Sequence, residues 1–525
     1  MIITMGELRA GVARMPRLAP LAIAAMLLAS ECRADWRVVP ALTLTERYTD
    51  NFYQEGKDLK RSQFISELTP SLSFLKTGPR LVLNGTAQWR HFDYRDDDLR
   101  DTLDHSFEYA VSGRGTLAKD FLYVDASASA RPNNISVFGP RVEDAPYLSA
   151  NQAKVKTWRV SPYLEHRYGR TATLAMRYAR DRVEGGRGAR GFGSSSSDSV
   201  TASLASGPAF NQIGWGLTHV RQDLDDTYNG ETSSESTTAN VRYALTRRFA
   251  LTATVGYDNY EFVGLGNDTA GRNWSVGFNW TPSQRTNLSA AIGRHFYGQT
   301  GSFSLLHRSR RTSWNLAYND GVTTAREQFL LPSTIDTTEL LDRLFAASIT
   351  DPVARQQAVA AYIRDTGLPP SIAENVNFLS NRYFRQKQLL GSMAFKMART
   401  SGVLSLSSSE RIALSNEQSD SVLLGTQVGG RNDNVRQHDA TANLNYRLSP
   451  RTSTLAVVSW GRSRSLTTDI VDTRRDFRLG LTHRLSREVR AAVDLNRRFG
   501  TYGRFGRSNG PFYENSISAS LSAQF

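Results

Sequence analysis

The chain of 525 residues has a single cysteine, Cys32. That one residue sits ahead of the cleavage point read below, so the processed chain holds none, and a disulfide framework or a thiolate metal site is excluded. Lysine is scarce as well. It stands at eight positions, and arginine supplies the other 64 − 8 = 56 basic residues. These are dispersed, and no nucleic-acid-binding motif accompanies them, so a nucleic-acid partner is not expected. The eight histidines (His91, His105, His166, His219, His295, His307, His438 and His483) share no metal-ligand spacing. No Gly-x-Ser-x-Gly elbow or His-Glu-x-x-His pair occurs, so no catalytic residue, cofactor or metal site is assigned. Past residue 34 there is no apolar run of the roughly 20 residues that a membrane helix requires. The mean hydropathy of −0.41 fits a soluble protein. It fits a membrane β-barrel equally well, because lipid-facing and lumen-facing residues alternate and the average conceals the apolar face.

What is present begins with Arg9, Arg14 and Arg17, followed by an apolar run from Leu18 to Ala29 and the small-residue end Cys32-Arg33-Ala34. A basic start, a short apolar centre and a small-residue cleavage site make a secretory signal peptide over residues 1–34. Glu31 directly before Cys32 speaks against a lipid-modified cysteine, since a small residue is needed there. Residues 35–525 then read as one domain.

The last thirteen residues, Tyr513 to Phe525, alternate strictly. Tyr513, Ile517, Leu521 and Phe525 fall on one face, and Glu514 with four serines on the other. A period of two is a strand. The same alternation recurs back to Trp36, as in Trp274, Val276, Phe278 and Trp280 set against Asn273, Ser275, Gly277 and Asn279. Short turns such as Lys76–Pro79, Gly169–Arg170, Thr246–Arg248 and Ser449–Arg451 alternate with long polar stretches such as Pro132–Gln152, Glu184–Asp198 and Asn416–Asn434. Short periplasmic turns and long outer loops belong to a transmembrane antiparallel outer-membrane β-barrel. Ten short turns join twenty strands, and the two ends of the chain add one each. The expected count is about 22, with 18 to 22 as the range because the hairpin near Ser302–Arg308 and the first strand are the weakest. The terminal stretch resembles the closing strand of an outer-membrane barrel, and Phe525 is expected to be the signal read by the barrel assembly machinery.

Residues 331–380 break the pattern. Leu340, Leu341, Leu344 and Phe345 have the spacing of one helical face. Asp351-Pro352 marks a helix start, and Gly367–Pro370 a stop. Two short helices inside one outer loop are expected, either capping the mouth or folding into the lumen as a constriction that so wide a barrel needs. The plugged transporters carry a globular plug ahead of their first strand. Here a strand starts at Trp36, which argues against that class.

Several strings add a resemblance: Leu42–Asn51, Leu68–Ser73, Trp280–Thr286, Gly293–Gly298 and His307–Trp314. Taken in order and spacing over nearly the whole processed chain, they resemble the PEP-CTERM system-associated outer-membrane proteins, within a wider β-barrel porin group. Members are encoded beside exopolysaccharide synthesis and export genes. The resemblance implies a barrel in a Gram-negative outer membrane, partnered with polysaccharide and with a periplasmic polysaccharide-export protein, and it supplies no catalytic residue.

By strand phase, Arg159, Arg167, Arg177, Arg242, Arg447, Arg478, Arg484, Arg490 and Arg498 face the lumen. Arginines inside a pore favour anions and pair bidentately with carboxylate or phosphate, which points to an acidic glycan. The alternative is that they pair with wall carboxylates such as Glu165, Asp181 and Asp494. Tyr168, Phe249, Trp280, Tyr446 and Phe525, near strand ends, read as interfacial girdles. Arg95–Asp101 reads as a solvated acidic loop, with calcium binding the lesser alternative. Gly185–Gly193 reads as a flexible outer loop. The expected function is therefore a pore in exopolysaccharide export. The alternatives are a general or anion-selective porin, and a barrel enzyme whose residue pair is assembled across strands.

Overall fold

A computed structural model describes residues 36–96, 99, 101–186, 192–227, 230–261, 269–330, 341–342, 344–346, 355, 359, 377–414, 434–505 and 508–525. The expected signal peptide, the expected outer loop 416–434 but for its last residue, the centre of the glycine-rich stretch, residues 97, 98 and 100 of the acidic loop and most of the two helices expected within 331–380 lie outside these residues.

Twenty-two strands form one sheet. They are β1 (Trp36–Thr49), β2 (Gln63–Thr77), β3 (Leu81–Tyr94), β4 (His105–Ala118), β5 (Leu122–Asn134), β6 (Gln152–Tyr168), β7 (Ala172–Gly185), β8 (Ser195–Ser206), β9 (Ile213–Asp226), β10 (Gly230–Ala244) and β11 (Phe249–Glu261). They continue as β12 (Ala270–Ser283), β13 (Thr286–His295), β14 (Gly298–Arg308), β15 (Thr312–Thr324), β16 (Tyr383–Lys396), β17 (Thr400–Ala413), β18 (Asn434–Arg447), β19 (Thr452–Ser465), β20 (Val471–Arg484), β21 (Val489–Phe505) and β22 (Ser508–Gln524). Each strand pairs antiparallel with its chain neighbours. The sheet closes where β1 meets β22, from Ala41↔Gln524 to Thr49↔Ser516. Closure leaves no strand edge unpaired, the condition for a sheet inside hydrocarbon. The hairpin at Ser302–Arg308, weakest in the sequence, is a full member as β14, and the count is 22.

One face of this sheet is apolar and points outward. Leu44, Met176, Val241, Val255, Ile292, Leu406, Leu479 and Ile517 are exposed on it. Aromatics band both ends: Trp36, Tyr168, Trp280, Trp314, Tyr446 and Phe525 at the short-turn end, and Tyr48, Phe64, Phe107, Tyr178, Tyr257 and Tyr513 toward the long-loop end. This is the surface of a membrane-spanning barrel. Both termini of the sheet lie at the short-turn end, where the Phe525 amide donates to the Pro40 carbonyl at 3.0 Å.

The inward face is not empty. The β5–β6 connection, residues 135–151, folds into the outer half of the barrel. Tyr147 stacks on Phe52, with ring centroids 4.8 Å apart. Both join Ile65, Phe92, Ala145 and Leu148 in an apolar cluster. Phe138 and Val137 pack on Phe378 and Val435. A helix, α1 (Ala325–Leu330), continues from the outer end of β15, ahead of the 331–380 segment in which helices are expected. Thr324 and Glu327 exchange hydrogen bonds in the capping-box pattern: the Glu327 amide donates to Thr324 Oγ1 at 3.1 Å and the Thr324 amide to Glu327 Oε2 at 3.4 Å. Phe329 and Leu330 then pack beside Val155, Val183 and Leu379.

Of the insertion, Leu341, Leu344, Phe345 and Val359 are buried against Ala394 and Val403. Those two wall residues stand near the short-turn ends of β16 and β17, and Lys396 Nζ lies 4.0 Å from the Phe345 ring centroid. These described residues of the insertion therefore pack on the inward face of the wall. On the same inward face of β15–β17, Ser313, Ser392, Ser401, Ser405 and Ser409 are buried.

Candidate functional site

All nine arginines named from strand phase lie on the face opposite the exposed apolar residues, but in different surroundings. Arg498 is fully enclosed. Its Nε donates to Asp476 at 3.0 Å, its Nη1 to Glu514 at 2.9 Å, and its Nη2 lies 3.4 Å from Asp144. Arg177 bonds Asp125 at 3.2 Å and Ser161 at 2.8 Å, and its guanidinium stacks 4.0 Å from the Tyr163 ring. Arg478 pairs with Asp494 at 3.0 Å and Arg167 with Glu165 at 3.3 Å. Two of the three wall carboxylates named from sequence thus take strand arginines. Asp181 instead pairs with Arg326 of α1, while Arg159 is an electrostatic neighbour of that carboxylate.

The arginines at the short-turn end differ. Arg447 donates to the Ala398 carbonyl at 2.9 Å, Arg484 to the Pro450 carbonyl at 3.2 Å and Arg242 to the Asn211 carbonyl at 3.5 Å. Each carbonyl belongs to the adjacent short turn and carries no formal charge. Arg490 sits at the same level. The turns add to this. Nine of the ten carry a cation: Arg80, Lys119, Arg170, Arg247 with Arg248, Arg285, Arg310 with Arg311, Arg399, Arg451 and Arg487. Against these eleven cations stand only Asp120 and Glu488 in the same turns. The mouth at this end is a ring of exposed positive charge, and such a ring concentrates anions by several kT of local potential.

The outer half holds groups that sequence phase alone did not bring together. Arg474 reaches Asp144, and Arg141 pairs with Asp439 at 3.2 Å. Both pairs join the in-folded 135–151 segment to the wall at β18–β21. Burial alone would raise the Asp144 carboxyl, but Arg474, Arg498 and Arg141 outweigh it and hold its pKa below the ordinary value. Glu327 goes the other way. Burial raises it, against hydrogen bonds from Thr323 and Thr324 that favour the charged form. Arg474 and Asp476 share the strand phase of Arg478, so half of this network was visible in β20; the loop that completes it was not.

Among the described residues no three His, Cys, Asp or Glu side chains converge to hold a metal ion. Tyr168, Phe249, Trp280, Tyr446 and Phe525 all lie on the outward face, at girdle positions.

No family model matches the chain, and no curated protein matches it. Among solved structures it is similar to the siderophore receptor PirA of Pseudomonas aeruginosa (11% identity, TM-score 0.42, covering 94% of this chain and 81% of that one). It is similar also to the ferric enterobactin receptor PfeA of the same organism (11%, 0.44, 93% and 81%) and to the FrpB iron transporter of Neisseria meningitidis in its apoprotein form (9%, 0.47, 95% and 83%). The barrel assignment rests on the chain's own closed sheet and apolar outer face, not on these likenesses.

Proposed function

We propose that this barrel is a gated conduit in a Gram-negative outer membrane, through which an acidic polysaccharide leaves the periplasm. The observation that carries the reading is the polarity of the lumen. The periplasmic mouth is ringed by eleven turn cations, with Arg242, Arg447, Arg484 and Arg490 just inside, while segment 135–151, α1 and the side chains of Leu341, Leu344, Phe345 and Val359 lie in the path beyond. An anionic chain is drawn to the side that is wet and positive, and passes when the in-folded segments move aside. The in-folding favours a gated conduit over a permanently open anion-selective porin. A periplasmic polysaccharide-export protein would deliver the polymer to the cationic ring. The barrel itself has no catalytic part in this scheme.

The test is secretion from a strain lacking the gene, complemented with the native chain or with an Arg242→Gln, Arg447→Gln, Arg484→Gln chain. Loss of secreted polysaccharide, restored by the native chain and restored poorly by the triple variant, is the expected result. Normal secretion from the deletion strain, with altered uptake of small anions, overturns the export reading in favour of a porin.

A further inference from the structure

Beneath the outer segments, between α1 and the lumen face of β9–β11, lies a partly open cavity of ≈ 160 Å³. Gln222, Thr232, Ser234, Tyr260, Arg326 and Tyr383 are among its lining residues. The register explains how they converge: Ser234 stands opposite Gln222 on β9 and opposite Tyr260 on β11. Arg326 is brought in from across the lumen by α1. Its Nε donates to Ser195 at 2.8 Å and its Nη2 to Asp181, but Nη1 is buried with no partner. A buried donor left without an acceptor costs about 1–3 kcal/mol, and in a native fold such an atom calls for a partner the protein alone does not supply. Thr232 Oγ1 and Tyr383 Oη, 3.1 Å apart, offer hydroxyls on the same wall, and the Tyr260 ring supplies an apolar face.

We propose that this cavity binds one uncharged sugar ring. Its volume fits a single six-membered ring, since a cavity of about 150 Å³ accommodates benzene; the ring's substituents then leave by the open side. Hydroxyl and ring oxygens supply the acceptor that Arg326 Nη1 lacks. The charge of the site selects against an anion, because the Arg326 cation is already matched by Asp181 and Glu327 also lines the cavity. The site is separate from the cationic mouth, and it stands whether or not the exported polymer is acidic.

Calorimetric titration of the detergent-solubilised full chain with glucose and with glucuronate tests this. Glucose is expected to bind saturably and more tightly than glucuronate, which differs by one carboxylate. Ser234→Leu fills the cavity and should abolish binding. Thr232→Val keeps the shape, removes one hydroxyl and should weaken binding about two- to tenfold. The isosteric valine variant carries the test if the leucine variant fails to fold, as judged by heat-dependent gel mobility. Three results would each overturn the proposal: no saturable binding of glucose, native affinity in the folded Ser234→Leu or Thr232→Val chain, or glucuronate binding as tightly as glucose.

Discussion

The two ends of this lumen use the same side chain to opposite purposes. At the outer half, three arginines are enclosed and matched: the side chains of Arg498, Arg141 and Arg326 are 7%, 8% and 6% exposed, each facing at least one carboxylate. At the short-turn end Arg242, Arg447 and Arg484 are exposed and lean on backbone carbonyls. Desolvation decides the difference. A buried guanidinium without a counter-charge is costly, so Arg498, Arg141 and Arg326 become fasteners that pin the in-folded segments to the wall. Arg411, buried with no carboxylate partner among the described residues, instead lies against the Phe378 and Phe384 rings and donates to Gln386. Solvated ones keep their charge available to whatever enters. Residue type and strand phase are therefore not enough to assign function; depth along the strand, and what folds over it, complete the assignment.

The largest effect that tests this contrast comes from Arg498→Met. It leaves Asp144, Asp476 and Glu514 buried together without their shared cation, and removing one partner of a buried charge network costs about 3–5 kcal/mol. The expected result is a lower urea midpoint and rapid protease cleavage within 135–151. A midpoint unchanged from the native chain would mean that the segment is held by the Phe52–Tyr147 cluster alone.

A pair of glycines sharpens the comparison at smaller cost. A Cβ on Gly461 would stand 2.6 Å from Asp439 Oδ1, and one on Gly480 2.4 Å from Asp494 Oδ1. The clash is similar, but the surroundings are not. Asp439 is locked to the buried Arg141, whereas Arg478, the partner of Asp494, has a side chain 41% exposed and free to swing. Gly461→Ala should therefore cost about 1–3 kcal/mol by overpacking, and Gly480→Ala should cost clearly less. Equal losses in chemical denaturation would show that both pairs are equally rigid.

The exposed arginines invert the expectation. Arg242→Gln, Arg447→Gln and Arg484→Gln together should leave the denaturation midpoint unchanged, yet lower the anion-to-cation permeability ratio of the purified barrel in planar bilayers. An unchanged ratio with lost stability would make these residues fasteners too, and the contrast between the two ends would fall.

Much of the barrel was legible because a period of two is a local property. The alternation at Tyr513–Phe525 and the short polar turns set strand bounds, and β1 runs from Trp36 to Thr49 as read. The lumen phase of the arginines came from the same signal. The in-folded segments did not, because nothing local says which way a loop turns. Asp144 meets Arg474 and Arg498 only through closure of the whole sheet, over separations of 330 and 354 residues. Arg326 and Asp181 are 145 residues apart. One signal was present and unread: Thr324-Ala325-Arg326-Glu327 is a capping box, and it would have moved the start of the helical segment ahead of residue 331.

The smallest expected effect is a split response to acid. Asp144 has a depressed pKa, so its ion pairs stabilise the 135–151 segment above the ordinary carboxylate value, and that stabilisation is lost as pH falls through the depressed one. Glu327 has a raised pKa, so its contribution is complete below the ordinary glutamate value and is lost as pH rises through the raised one. Lowering the pH from about 7 to about 3 should therefore first tighten α1, while 135–151 holds, and then loosen 135–151 at the acid end. Hydrogen exchange read separately on the two segments checks the order. If both loosen together at the same pH, the two in-folded segments form one cooperative unit, and the Arg498 network cannot be what fastens the first of them independently.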